Sequence, residues 1–200
     1  MAKFLFRRPK PTGNFAFIDS QNLNLGTQKA GFKLDWHKFR QLLKDKYGVT
    51  RAYLFIGYMQ EHEDMYKQLH DQGYLIVLKP TVTINMTSEE VQAHKLNEEH
   101  LVKGNVDAEL VLYAMKELSN YKKAIIVSGD GDFYCLAEYL EKKERLECIM
   151  TPNWQYSSLL KPYEKYITRI DQMRRQLEYK NYSRNSKNNN NRNNKQKTRR

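Results

Sequence analysis

Two aspartates separated by one glycine, Asp130 and Asp132, follow the apolar run AIIV (124–127) by way of Ser128 and Gly129. A third, Asp19, comes directly after the apolar run NFAFI (14–18), with Asn22 three residues further on. A fourth, Asp107, falls in the first turn of a helical pattern that opens near Asn105. Each alone has an ordinary explanation, since an aspartate caps a helix or faces its dipole. Together they read differently. Carboxylates gathered at one place resist ionising unless a cation compensates. Magnesium and manganese prefer such oxygen ligands, and they activate water and stabilise charge on a phosphate. The chemistry implied is phosphodiester hydrolysis.

For that, the four must converge, and the surrounding pattern says how. NFAFI (14–18), AYLFI (52–56), YLIVL (74–78) and AIIV (124–127) read as buried strands; LECIM (146–150) and KYITRI (165–170) are weaker candidates. Between them lie helical patterns. DWHKFRQLLKDKYG has Asp35 to cap its start and Gly48 to end it. Residues 61–72, 105–118 (Asn105 as its cap) and 132–143 supply the others. Strands alternating with helices predict an α/β, doubly wound architecture with a parallel sheet. In such a sheet the ligand crevice lies beyond the carboxyl ends of the strands. Asp19, Asp107, Asp130 and Asp132 all fall on that rim. Residues 79–104 are too polar for a core strand and read as a hairpin followed by a short helix.

The chain has 200 residues, 40% hydrophobic and 28% charged, which suits one soluble domain. Residues 1–10 (MAKFLFRRPK) carry four basic residues and no acid, and residues 181–200 seven and no acid. The two ends therefore hold the whole net charge of +11, and cationic arms favour phosphate backbones. The expected organisation is a basic extension over 1–11, a folded domain over 12–178 and a disordered Asn/Lys/Arg-rich tail over 179–200. Tyr179 and Tyr182 beside that tail could stack on bases. Cys135 and Cys148 are not in a CxxC pattern and read as small core residues, not as a zinc site. The histidines read as surface residues. No apolar run reaches membrane-spanning length, so the expected setting is cytoplasmic, with no membrane partner. Trp154 in TPNWQYSSLL (151–160) is left between closing the rim and packing on the final helix.

FIDSQNL (17–23), KGNVDAEL (103–110) and IVSGDGDFYCLAEYL (126–140) resemble the three signature blocks of the NYN domain, a PIN-like nuclease family. The chain is most similar to its LabA-like branch, over about residues 12–170. The resemblance implies a three-layer PIN-like (Rossmannoid) fold, with a mainly parallel central sheet flanked by helices. It also implies a Mg2+- or Mn2+-dependent endoribonuclease acting on RNA, single-stranded for preference, and PIN-like domains often pair as homodimers. Carried over position by position, Asp19, Asp107, Asp130 and Asp132 are the catalytic and metal-binding set. Asn22, Ser128 and Lys103 are the substrate-binding residues: Asn22 holding the site or substrate, Ser128 hydrogen-bonding an acidic partner, Lys103 meeting a phosphate. Ser20 and Gly131 depart from the residues common at those positions, and neither departure removes a carboxylate.

Three other classes fit less well. A phosphatase of the haloacid-dehalogenase type needs a second aspartate two residues after the first, where this chain has Gln21. A dinucleotide enzyme needs GxGxxG after the first strand. A protein-interaction scaffold would show no metal binding at the acidic rim. The alternative that remains is a non-catalytic RNA-binding or regulatory module on the same fold.

Overall fold

Apolar runs fold here as strands, the central ones burying both faces, and the polar segments between them wrap around as helices. The computed structural model describes residues 11–58, 60–79, 82–83, 102–103 and 106–180. From β1 (Asn14–Asp19) the chain turns directly into α1 (Ser20–Lys29), continues through α2 (Trp36–Tyr47) and returns along β2 (Val49–Gly57). α3 (Glu63–Asp71) leads to β3 (Tyr74–Lys79). A short antiparallel pair, β4 (Val82–Thr83) with β5 (Val102–Lys103), precedes α4 (Asp107–Lys116). Then come β6 (Ala124–Val127), α5 (Tyr134–Lys142), β7 (Leu146–Thr151), β8 (Ile167–Arg169) and α6 (Arg174–Leu177). A 3-10 stretch, Ser158–Tyr166, joins β7 to β8.

Six strands form one sheet in the order β3-β2-β1-β6-β7-β8, every neighbouring pair parallel. The chain builds outward from β1 in one direction, then starts again at β6 on the other side. The switch point is the β1/β6 boundary, where helices leave on opposite sides and open a crevice at the carboxyl ends.

Strand alternation decides which face each side chain serves. Ala16, Ile18, Leu54, Ile125 and Val127 face α1, α2 and α3, packing on Leu23, Phe39, Leu43 and Leu69. Phe15, Phe17, Phe55, Ala124 and Ile126 face α4 and α5, packing on Leu110, Ala114, Leu136 and Leu140. Phe17 stacks on Tyr53 at 5.6 Å between ring centroids and meets Tyr121 edge-on at the same distance. Full burial of such a side chain contributes about 1.5–3 kcal/mol, more than the roughly 1 kcal/mol span of β-propensity. Packing on both faces therefore dictates the strands.

The helix stops agree with the sequence at α2, where the Asp35 carboxylate accepts from the Lys38 N–H and Gly48 ends the helix at φ 61°. Two elements differ. α1 has no counterpart in the hydrophobic pattern, because its segment SQNLNLGTQK buries only Leu23 and Thr27. α4 opens with Val106 at its N-cap position and no side-chain cap; the capping role expected of Asn105 lies outside the described residues. Within 79–104 the structure describes one antiparallel pair, β4 with β5, at either end of residues 84–101; the hairpin and short helix expected there otherwise lie outside the described residues, as do the N-terminal 1–10, His94, His100, Tyr182 and the tail from 181. Cys148 is buried as expected, whereas Cys135 is exposed, on the solvent side of α5. Among the described residues no helix is long and apolar enough to cross a membrane.

Candidate active site

Asp19 ends β1 at the switch point. By strand alternation it falls on the face of Phe15 and Phe17, the side of the sheet covered by α4, at the point where the chain enters α1. In the parallel register Ile18 lies beside Val127, which sets Asp19 beside Ser128. The contact follows: Ser128 Oγ donates to Asp19 Oδ2 at 3.2 Å. The other oxygen, Oδ1, accepts from the Asn22 N–H at 3.0 Å and caps α1. Asp19 is 6% exposed. Burial pushes its carboxyl up to about 6, helped by the charges of Asp107 and Asp130 and opposed by the hydrogen bonds from Asn22 and Ser128.

The turn after β6 is fixed by the same group of residues. Ser128 Oγ also accepts from the Asp130 N–H at 3.1 Å. Asp130 Oδ1 accepts from the Asp132 N–H at 3.0 Å, closing the 3-10 turn Gly131–Phe133 that feeds α5. Asn22 Oδ1 accepts from the Gly129 N–H at 2.9 Å and ties α1 to the turn. Asp107 enters from the first turn of α4. That end of α4 is held toward β3 by an ion pair between Lys79 Nζ and Glu109 Oε2 at 3.0 Å.

Asp107, Asp130 and Asp132 come together: one carboxylate oxygen from each lies within 4.8 Å of those from the other two. Asp107 and Asp130 are half-buried and Asp132 exposed, so the cluster is anchored in the fold and open to solvent. Asp19 stands behind it as a buried fourth charge, coupled to Asp107 and Asp130. This donor set is oxygen-only, which suits magnesium or manganese better than a soft or imidazole-seeking metal. Asn22 and Ser128 are brought to the site, both with their side chains hydrogen-bonded inside the protein. Lys103 is placed only as a β5 residue paired with Val82; its side chain lies outside what is described.

A family model described as NYN domain matches residues 15–191. The chain belongs to the NYN domain family. NYN domains are generally nucleases. This NYN domain is 24% identical over 161 residues to the low amplitude and bright protein LabA of Synechococcus elongatus, an alignment covering 79% of this chain and 84% of that protein. In fold it is similar to a protein of unknown function from Vibrio parahaemolyticus, at a TM-score of 0.60 and 19% identity over 82% of this chain and 96% of the other. The fold is PIN-like, and the acids of this NYN domain stand at its switch point.

One part of the rim was left open by the sequence: the loop 152–157 after β7. Ser157 N–H donates to the Gly129 carbonyl at 2.9 Å, and Asn153 Nδ2 to the Gly26 carbonyl at 2.7 Å, so the loop is fastened to the acidic turn and to α1. A 160 Å³ cleft between them is lined by Asn22, Lys29, Gly129, Asn153 and Tyr156. Trp154 at the loop stands 65% exposed and belongs to neither hydrophobic cluster of the fold. The one available signal was position: NWQY directly follows the carboxyl end of a strand.

Proposed function

We infer that this NYN domain is a metal-dependent ribonuclease that hydrolyses phosphodiester bonds of single-stranded RNA at the acidic rim. The observation that supports it is the approach of Asp107, Asp130 and Asp132 to within 4.8 Å at the switch point of a nuclease-family fold. Asp107, Asp130 and Asp132 would hold Mg2+ or Mn2+, with Asp19 as the fourth acid of the set. Such a cation, when bound, supplies Lewis acidity toward a phosphate oxygen and activates water. The protein's own groups do the positioning. Ser128 bonds both Asp19 and the Asp130 backbone, so it sets the spacing of two acids at once. Asn22 locks the turn that carries Asp130 and Asp132, and also lines the adjoining cleft, where a strand would enter. Residues 12–178 form the working domain in this reading. The cationic stretches 1–11 and 179–200 offset the field of the acidic pocket, which otherwise repels RNA.

Calorimetric titration of metal-free protein with manganese tests the site. Wild type is expected to bind, while Asp107→Asn and Asp130→Asn weaken binding at least tenfold, about 1.4 kcal/mol. Unchanged binding in both variants would contradict the assignment. Manganese binding without RNA cleavage would instead support the non-catalytic module on the same fold.

A further inference from the structure

We propose that Trp154 and the cleft behind it form a base-stacking subsite for single-stranded RNA, placed on the β7–β8 side of the acidic cluster. The inference rests on the ribonuclease reading and extends it to where the strand runs.

Trp154 belongs to neither hydrophobic cluster of the fold, and its 65% exposure is the highest of any large aromatic among the described residues. An indole left in water has no packing role to explain it. The loop beneath it is nevertheless fixed on every side. Asn153 Oδ1 accepts from the Gln155 N–H at 2.7 Å, Asp171 N–H donates to the Pro152 carbonyl at 3.1 Å, and Ser157 N–H to the Gly129 carbonyl at 2.9 Å. Gly26 allows the close contact with α1: a Cβ there would fall 2.4 Å from Pro152 Cβ. A rigid loop presenting a bare aromatic face is the arrangement that stacks a base at small entropic cost.

The surroundings fit a nucleotide. Trp154 opens onto a 540 Å³ cleft whose walls include Tyr156, Glu164, Thr168, Arg169 and Gln172. Arg169 is held by the Asp171 carboxylate through Nε at 3.1 Å and Nη2 at 2.6 Å. With Glu164 in its wall and Arg169 paired to Asp171, this cleft has little net charge, so recognition there is by stacking and hydrogen bonding. Tyr156 also lines the smaller cleft, which contains Lys29 and adjoins Gly129. The two clefts share Tyr156 as a wall, and the loop that carries Trp154 is fastened through Ser157 to Gly129 in the turn before Asp130, so the strand's path in this proposal runs along both. Lys29 is the phosphate contact on that path and Trp154 the base contact. A folded duplex offers no splayed base, so the path selects single strands.

The test uses the full chain, calcium in place of magnesium, and a short fluorescein-labelled oligouridylate. Anisotropy should show Trp154→Ala binding about tenfold more weakly at every salt concentration, with the salt slope unchanged. Trp154→Phe should bind nearly as wild type. Lys29→Ala should lower the slope by about 0.7, one phosphate contact on a single strand. Unlabelled RNA should quench the emission of wild type but not of Trp154→Phe, whose remaining Trp36 lies half-buried against Tyr74. Wild-type affinity in Trp154→Ala, together with intact cleavage by wild type, would overturn the subsite and leave the nuclease reading standing. No RNA binding by wild type at all would overturn both. A dimer found in sedimentation for wild type and lost in Trp154→Ala, with RNA affinity unaltered, would assign the indole to a second copy and overturn the subsite.

Discussion

Asp19 is the residue at which fold and chemistry oppose each other. Both its oxygens are hydrogen-bonded, yet burial and two neighbouring acids keep its carboxyl near 6, above the ordinary 3.8. The raised value has a direct thermodynamic consequence. The unfolded chain releases this proton first, so the stabilising contribution is whole below pH 3.8 and is lost as pH rises through about 6. At one pH unit per 1.36 kcal/mol the complete loss is about 3 kcal/mol. Asp19→Asn keeps the cap on α1 and cannot ionise. In metal-free protein it should therefore raise stability by about 1–3 kcal/mol at neutral pH, a gain that disappears by pH 4. Urea melts across that range check it, and a variant less stable at every pH would contradict it. Added magnesium should stabilise wild type more than the variant, since the cation relieves the same repulsion. The four acids were legible in the sequence because each sits at a strand's carboxyl end or a helix's first turn. The Asn22–Gly129 bond was not. It depends on β1 and β6 lying side by side, a register between segments 107 residues apart.

At the scale of elements, the acidic turn is held between α1 and the loop 152–157, and glycine makes that fit. A Cβ on Gly131 would fall 2.4 Å from Ser157 Oγ and 3.0 Å from Leu159 Cδ1. That contact leaves no room for a side chain at position 131 unless Ser157 moves. Gly131→Ala should cost about 1–3 kcal/mol by overpacking. Ser157→Gly on its own should cost less, and the double variant should recover much of the loss. A double-mutant cycle measured by denaturant melts checks the coupling, and strict additivity would contradict it. The strand AIIV was legible to the residue, since burial on both faces demands an unbroken apolar run, and YLIVL was legible from its apolar run although it is an edge strand with Leu75 and Leu78 exposed. α1 was not. Its hydrophobic stripe is too sparse to see, and it is positioned by the Asp19 cap and by contact with Pro152 through Gly26. The 3-10 stretch Ser158–Tyr166 escaped for a similar reason, with Pro162 inside it and only Leu160 and Tyr163 buried.

Over the whole molecule, charge is divided between a neutral body and two cationic ends, and four aspartates of the body stand at one rim. A strand of RNA must be attracted by one part and aligned at another. Deleting residues 181–200 removes seven cations and no acid. The slope of log affinity against log salt for single-stranded RNA should then become shallower by up to about 5, measured by filter binding, with cleavage retained at low salt. An unchanged slope would show that the tail meets no phosphate. The central claim, that the rim acids perform metal-dependent hydrolysis, is tested most directly by cleavage of a labelled single-stranded RNA. Wild type, Asp19→Asn and Asp130→Asn, purified identically, are compared with magnesium, with manganese and with chelator. Cleavage by wild type that needs the metal and falls at least a hundredfold, about 2.7 kcal/mol of barrier, in both variants is the predicted result. Equal cleavage by all three proteins, or cleavage that survives the chelator, would contradict it.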